Sequence, residues 1–526
     1  MSTSLTPENS QSVSPIGLIF RNVSLNYLVT GTELLLGIFM LPFNVSHLGQ
    51  SAYGLWVLVA SVTFYFSLLD MGYGVAQVRF TAKYRAEGNT AALNEMASTM
   101  FWMFAGIGVL TFLLALLLAF NLEHIFSLSV SQAQTGRIVF LFISAYVAIG
   151  FPFSVFGGIV NGFQRVYLNG IVALVTAVVV AAVNVAVLLA GYGIVELVVA
   201  TTTVKILSYI AYAMNAYRVF PALRIRLSNF KRSRLREITG FSVFILLIDL
   251  ANKLNYSTDA IVVGAFAGTI AVAVWAVAQR LIEIVQRVAD QLNSALFPVV
   301  VDSSTTQRLD RLQKIFLQGT RLSLAMVVPL ATGLALLARP LVLVWVGPSF
   351  AGSVPVIYVL SIVVALRVGN ATSAVILKGD GQHKLLAFSN ITMAVSNLVL
   401  SIALVRRYGL IGAALGTLLP MIATSMFLVF PAACRRLQLR PFQVVRQSVL
   451  PVAWPAAVMA AFLLATRMVN RNGWAFLLFQ TVVGGLVYLS LFLRFAISRN
   501  EREWYLGIVK EVLKWRSVRK SAKELA

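Results

Sequence analysis

The chain has 526 residues, of which 59% are hydrophobic and only 12% charged, with a formal net charge of +23 and a mean hydropathy of +0.84. Apolar runs of roughly 20 residues recur from end to end, which excludes a soluble globular fold of this length and reads as a polytopic membrane protein. The single cysteine, Cys434, excludes an intramolecular disulfide.

Met1 to Pro15 is mostly polar and lacks Lys and Arg, so no cleavable signal peptide is predicted. Hydropathy then predicts spans at 16–41, 51–74, 99–121, 138–159, 168–190, 194–214 and 240–264. The second half adds 270–297, 315–338, 354–377, 384–405, 410–432, 449–468 and 474–497, for 14 in all. With the amino terminus inside, 30 of the 42 Lys and Arg fall on cytosolic segments and their flanks, and six on outer ones. That asymmetry is the positive-inside pattern, so both termini are expected in the cytosol. The basic balance is therefore topological, and no nucleic-acid partner is expected.

In the first span Asn22, Asn26, Thr30 and Glu33 form a polar stripe, with Arg21 near the inner end. It reads as cavity lining, with Lys205 or Arg367 as partners for Glu33, and Asn370 shares the face of Arg367. Asp70 closes the second span, where Arg79, Lys83 or Arg85 could pair with it. A lock on the helix end competes there with direct substrate contact. The connector 215–239 carries seven basic residues and predicts contact with lipid phosphates.

Residues 239–300 predict a hairpin turning at Gly268, with Asp249, Lys253, Asp259, Arg280, Glu283, Arg287 and Asp290 inside it. Each charge at mid-membrane costs roughly 2.5 to 3.5 kcal/mol on insertion scales, so they should face one another or water. Antiparallel register sets Asp249 opposite Arg287 and Lys253 opposite Glu283. A permanent salt-bridge ladder and one that opens on ligand binding are both consistent with that register. The carboxylates outnumber the cations, so Asp249, Asp259, Glu283 and Asp290 are candidates for a coupling H⁺ or Na⁺.

The two halves also repeat weakly. Gln164 matches Gln382, Asn184 matches Asn397, and Tyr192-Gly-Ile-Val195 matches Tyr408-Gly-Leu-Ile411. Chance likeness between apolar helices is the competing account. The repeat predicts an N-lobe at 1–214, a linker at 215–239, a C-lobe at 240–433, two further spans within 434–497 and a basic amphipathic tail at 498–526. Solitary histidines, the absence of metal-ligand spacing and the absence of a phosphate-binding glycine loop predict no enzyme and no cofactor.

The stretch His47 to Asn89 holds Leu48-Gly49, Tyr53-Gly-Leu-Trp56 and Leu68-Leu-Asp70-Met-Gly72-Tyr-Gly74, followed by Arg79 in a basic cytosolic loop expected to close on Gly88. It resembles the opening signature of bacterial polysaccharide (O-antigen, Wzx-type) flippases of the multidrug/oligosaccharidyl-lipid/polysaccharide exporter superfamily. The resemblance implies an all-α fold of about 14 transmembrane helices, with two pseudo-symmetric six-helix lobes around a central cavity and two trailing helices. It implies a bacterial inner-membrane flippase moving a polyprenyl-diphosphate-linked glycan outward, in contact with membrane lipids and with other polysaccharide-assembly proteins as candidate partners. A cation-coupled multidrug or small-solute antiporter of the same superfamily is the alternative.

Overall fold

The computed structural model describes backbone residues 15–126, 128–305, 309–467 and 473–497, with side chains throughout except at 15–20, 23, 240–257, 288–305 and 467. The described residues are helical nearly throughout. In order they form α1 (Pro15–Phe64), α2 (Tyr73–Ala86), α3 (Thr90–Ile125), α4 (Val130–Gly162), α5 (Val166–Leu189), α6 (Ile194–Val219) and α7 (Arg232–Thr305). There follow α8 (Leu309–Trp345), α9 (Ser353–Gly379), α10 (His383–Thr424), α11 (Phe430–Arg436), α12 (Pro441–Val444), α13 (Leu450–Arg467) and α14 (Trp474–Leu491).

Three of these helices are too long to cross once. At 1.5 Å per residue α7 would run about 110 Å and α1 about 75 Å, against about 40 to 45 Å for a whole bilayer. Each folds at a glycine in backbone space closed to other residues: Gly49 (φ 78°, ψ 167°), Gly268 (φ 80°, ψ 177°) and, in α10, Gly409 (φ 58°, ψ −136°). Eleven continuous apolar spans are present among the described residues, and three of them carry these folds. With each fold counted as two arms, the described residues give 14 candidate crossings, the number expected, and Gly268 turns the hairpin as predicted.

Packing groups the residues into two compact units, Met1–Ala276 and Val277–Ala526. In the first, the second arm of α1 lies against the first arm of α7. Bare glycines and small polar groups set the approach: a Cβ on Gly54 would meet the Thr269 carbonyl, one on Gly264 would meet Leu58, and the Tyr65 hydroxyl bonds Thr258 Oγ1 at 2.6 Å. At the end where α1 and α7 fold back, a capping box of Ser129 and Gln132 starts α4. The same Gln132 amide donates to Ser51 Oγ (2.7 Å) and Thr269 Oγ1 (3.3 Å), joining three helices. In the second unit the α10 hairpin closes through Asn397 Nδ2 donating to Thr417 Oγ1 at 2.9 Å, with Gly416 bare against Ser401.

The end of the first unit that carries the connector corrects the sequence reading. The segment after Asp70, expected as a loop, is helix α2, and α3 begins at Thr90 because the Asn89 side chain caps it by accepting from the Ala92 amide at 2.9 Å. Buried Gln77 and Thr81 hold α2 against Gly158 and Gly162 of α4, where small residues four apart admit close approach. Gln77 donates to the Val155 carbonyl at 2.7 Å. The backbone of the connector is strapped to α3. Asn94 donates to the Ala222 carbonyl and accepts from the Arg224 amide, Ser98 bonds Arg224 and Arg226, and Thr99 accepts from the Lys231 amide.

Past that strap, Arg234 ties α7 to α2 and α3. It donates to Glu95 (3.2 Å), Tyr84 Oη (2.9 Å) and Glu237 (3.3 Å), and Tyr84 donates to Glu237 at 2.8 Å. Burial and the Glu237 bond push the Tyr84 hydroxyl up to about 12. Burial opposes ionisation of Glu237, but its bonds to Tyr84 and Arg234, with Lys83 nearby, hold it below the ordinary carboxylate value. Glu237 thus contributes fully above pH 4.5 and less as pH falls through its lowered value, while Tyr84 contributes fully below pH 10.0 and less as pH rises through about 12. Thermal unfolding across pH should show a plateau between those limits, and Arg234→Ala should shrink the acid step while enlarging the alkaline one, since the guanidinium opposes the rise at Tyr84. An acid edge unchanged in the variant would show that Arg234 does not hold Glu237 in the cluster.

Candidate functional site

The first arm of α1 divides its polar stripe between two tasks. Asn22 Nδ2 donates to the Gln164 carbonyl and its Oδ1 accepts from the Tyr167 amide, both at 2.9 Å, so this residue clamps the turn between α4 and α5. Gln164 sits there with positive φ (63°), a strained position that such a clamp can hold. Arg21 lies over the Tyr167 ring at 3.9 Å. Asn26 and Glu33, one and three turns further along, are exposed.

At the depth of Glu33 the α4 and α6 helices present an aromatic column. Lys205 sits 5.6 Å from the Tyr146 ring centroid, and Tyr146 stacks on Tyr209 at 5.5 Å with ring planes 2° apart. Tyr209 stacks in turn on Phe153 at 5.5 Å, and the column continues through Phe156 to Tyr217. Gly150 makes room for it, since a Cβ there would lie 2.4 Å from the Tyr209 hydroxyl, which donates to the Tyr146 carbonyl. Glu33 lies within electrostatic range of Tyr212 on the same α6 face. Among the described residues no ion pair involves Lys205. A cation supported only by a ring face keeps most of its field available to an anion.

The remaining candidates are dispersed over both units. Asp259 is 9% exposed beside the Tyr65–Thr258 pair. Glu283 bonds Arg280 at 3.4 Å and accepts from Gln279 at 3.2 Å along its own helix. Arg367 donates to Gln286, and Asn370 donates to Ser425 Oγ at 3.2 Å. Arg287 is half-buried. The side chains of Asp249, Lys253 and Asp290, and the tail at 498–526, lie outside the described residues.

Within the signature, Asp70 ends a short 3-10 turn. Met71 and Gly72 then take left-handed backbone, and the Gly74 amide donates to Asp70 Oδ2 at 3.4 Å. A Cβ on Gly74 would crowd that carboxylate at 3.3 Å, so the Asp-x-Gly-x-Gly spacing forms a reversal that starts α2. Of the cations offered as partners to Asp70, Lys83 reaches Glu237 at 3.5 Å and Arg85 lies over the Phe163 ring. The aromatic column was absent from the sequence reading. Its only signal was the recurrence of rings at 146, 153 and 156 and at 209 and 217, which apolar helices also show by chance.

A family model described as "Polysaccharide biosynthesis protein" matches residues 19–304, over half the chain. A probable flippase, AglR of Haloferax volcanii, is 22% identical over 421 residues, covering 78% of this chain and 82% of that protein. An uncharacterized membrane protein, MJ1068 of Methanocaldococcus jannaschii, is 25% identical over 383 residues, covering 67% and 72%. Among solved structures the fold is similar to the lipid II flippase MurJ in an inward closed conformation, with TM-score 0.70 and 14% identity over 88% of this chain and 97% of that one. It is also similar to an inward-facing multidrug resistance MATE family transporter of the MOP superfamily, with TM-score 0.64 and 15% identity over 82% and 99%. At those identities the structural likeness speaks to fold alone.

Proposed function

The chain belongs to the polysaccharide biosynthesis protein family of MOP-superfamily flippases, and from that premise we propose that it carries a polyprenyl-diphosphate-linked oligosaccharide from the cytosolic to the outer leaflet by alternating access. The observation that carries the reading is Lys205, a cation midway along the apolar helix α6, held over Tyr146 without an ion-pair partner among the described residues. A lysine placed there is costly unless an anion meets it, and a diphosphate supplies two phosphates of compact charge. Asn26 and Glu33 line the same face of the path, and their polar groups suit sugar hydroxyls.

The repeat halves 1–214 and 240–433 serve in this reading as the moving lobes, with 434–497 as trailing spans and both termini in the cytosol. Asp259, buried beside Tyr65, is the coupling candidate for H⁺ or Na⁺. Chemistry on the substrate is not required for such transport, so the chain acts as a transporter and not as an enzyme. The two curated relatives come from archaea, so the reading leaves the host open and places the chain in the membrane that holds the polyprenyl carrier.

Cys434→Ser removes the only thiol, after which single cysteines at 26, 205 and 367 can be labelled from each side of the membrane. Polyprenyl-diphosphate glycan should protect position 205 at least, with accessibility that alternates between sides. Protection by small cationic drugs in place of the glycan would favour the antiporter, a reading supported by the MATE-like fold.

A further inference from the structure

Of the seven basic residues between the last turn of α6 and the first turns of α7, the protein uses only one internally. Arg234 turns inward to Glu95 and Glu237. Arg218, Arg224, Arg226, Lys231, Arg232 and Arg236 are exposed and make no ion pair among the described residues. The stretch 223–226 is neither helix nor turn, and Arg226 has extended backbone (φ −137°, ψ 146°), so side chains alternate in direction. Leu223 and Ile225 pack into the core of the first unit, and Arg224 and Arg226 stay outside it. The first turns of α7 make the same division on a helix: Arg234, Glu237 and Ile238 face the protein, whereas Arg232, Ser233 and Arg236 are exposed.

The bonds to α3 set the depth of this strap. Ser98 and Thr99, which hold residues 224, 226 and 231, stand at the start of the apolar window 99–121. The strap therefore crosses α3 where that helix turns apolar, at the level of lipid headgroups. Leu227 opens a short 3-10 turn there and Phe230 follows it, and they are 65% and 37% exposed. Residues 215–236 contain no carboxylate, and the first one met, Glu237, is engaged by Tyr84 and Arg234. A soluble acidic partner would account for the cations but not for two apolar side chains left out among them. An anionic membrane surface accounts for both, since phosphates meet the cations and the acyl boundary receives the apolar pair.

The second unit carries a similar arrangement after α11. Leu437 and Leu439 are buried, Gln438 and Arg440 are exposed, and Gln313 holds the segment by donating to the Leu437 carbonyl at 2.7 Å. Phe442 follows at 73% exposed, with Arg440 and Arg446 exposed on either side of it in the chain. Recurrence in each unit fits a leaflet, which both units meet, better than a partner of one of them.

We propose that the strap 218–236 is a binding surface for anionic phospholipid headgroups of the adjacent leaflet, with its exposed cations on the phosphates and Leu227 and Phe230 seated at the acyl boundary. The assignment does not depend on what the chain transports.

The test uses the full chain in nanodiscs, with Ser228→Cys in the Cys434→Ser background carrying a bimane fluorophore. Phosphatidylglycerol and phosphatidylcholine, each brominated high in the acyl chains, are compared as quenchers at equal mole fraction. Phosphatidylglycerol should quench about threefold more strongly at low salt, and the preference should largely vanish in about 0.5 M NaCl. Arg224→Gln, Arg226→Gln, Arg232→Gln and Arg236→Gln together should abolish the preference and leave quenching by phosphatidylcholine in place. Leu227→Ser with Phe230→Ser should reduce quenching by both lipids. The salt comparison needs none of these substitutions, so the test stands if a variant does not fold. Equal quenching by the two lipids at low salt overturns the assignment, as does a preference that survives the four glutamines in a folded protein. Quenching by neither lipid also overturns it and leaves the surface to a soluble acidic partner.

Discussion

Lys205→Ala is expected to slow flipping of a polyprenyl-diphosphate glycan in proteoliposomes by roughly 30-fold or more, the effect of removing one partner from a buried charge contact. The same substitution should leave the unfolding temperature unchanged or raise it. The reasoning is that a lysine amid spans is itself unfavourable, and its only described support is the Tyr146 ring at 5.6 Å. A structural salt-bridge lysine would behave oppositely, losing stability and activity together. Lys205→Arg should retain part of the rate because the positive charge persists, although the planar guanidinium cannot occupy the same point. Tyr146→Leu should fall between wild type and Lys205→Ala, since it removes the support and leaves the cation. Transport by Lys205→Ala within about twofold of wild type would remove Lys205 from the path, since loss of even a modest 1.4 kcal/mol contact would be tenfold.

The crossings were legible because a bilayer makes apolar length the dominant signal, and the antiparallel register of charges gave the turn at Gly268. Helix ends were not, since α3 begins nine residues before its apolar window, where Asn89 caps a polar first turn. Helix α2 escaped notice for a related reason. Its buried face includes Gln77 and Thr81, both 0% exposed, and their partners Gly158 and Gly162 are about 80 residues away in the chain. Local composition cannot carry such a pairing.

The polar stripe of α1 shows where spacing misleads. Asn22 shares a helix face with Asn26 and Glu33, yet its amide is fully engaged by the backbone of the turn at 164–167. Periodicity gives the face and not the partner. Asp70 was better specified, because the two glycines that follow it allow only a reversal whose amide reaches back to the carboxylate.

Gly54→Ala is expected to destabilise the chain more than any other single methyl addition along the α1–α7 contact. A Cβ at this position would stand 1.8 Å from the Thr269 carbonyl oxygen, 2.7 Å from its carbon and 3.2 Å from the Ala273 amide nitrogen. All three are backbone atoms at the start of a helical arm, so relief requires moving helices and not turning a rotamer. Overpacking of this kind costs about 1 to 3 kcal/mol and sometimes more. Gly264→Ala on the facing helix should cost less, because the group it meets is the flexible end of Leu58. Gly106→Ala, with open space around its Cβ, should be neutral or stabilising by up to about 1 kcal/mol through helix propensity. Heating each variant in detergent and following the folded fraction by size-exclusion chromatography should return that order. If Gly54→Ala melts with wild type, the second arm of α1 does not lie against Thr269, and the Tyr-Gly-Leu-Trp signature would need a reason other than close helix approach.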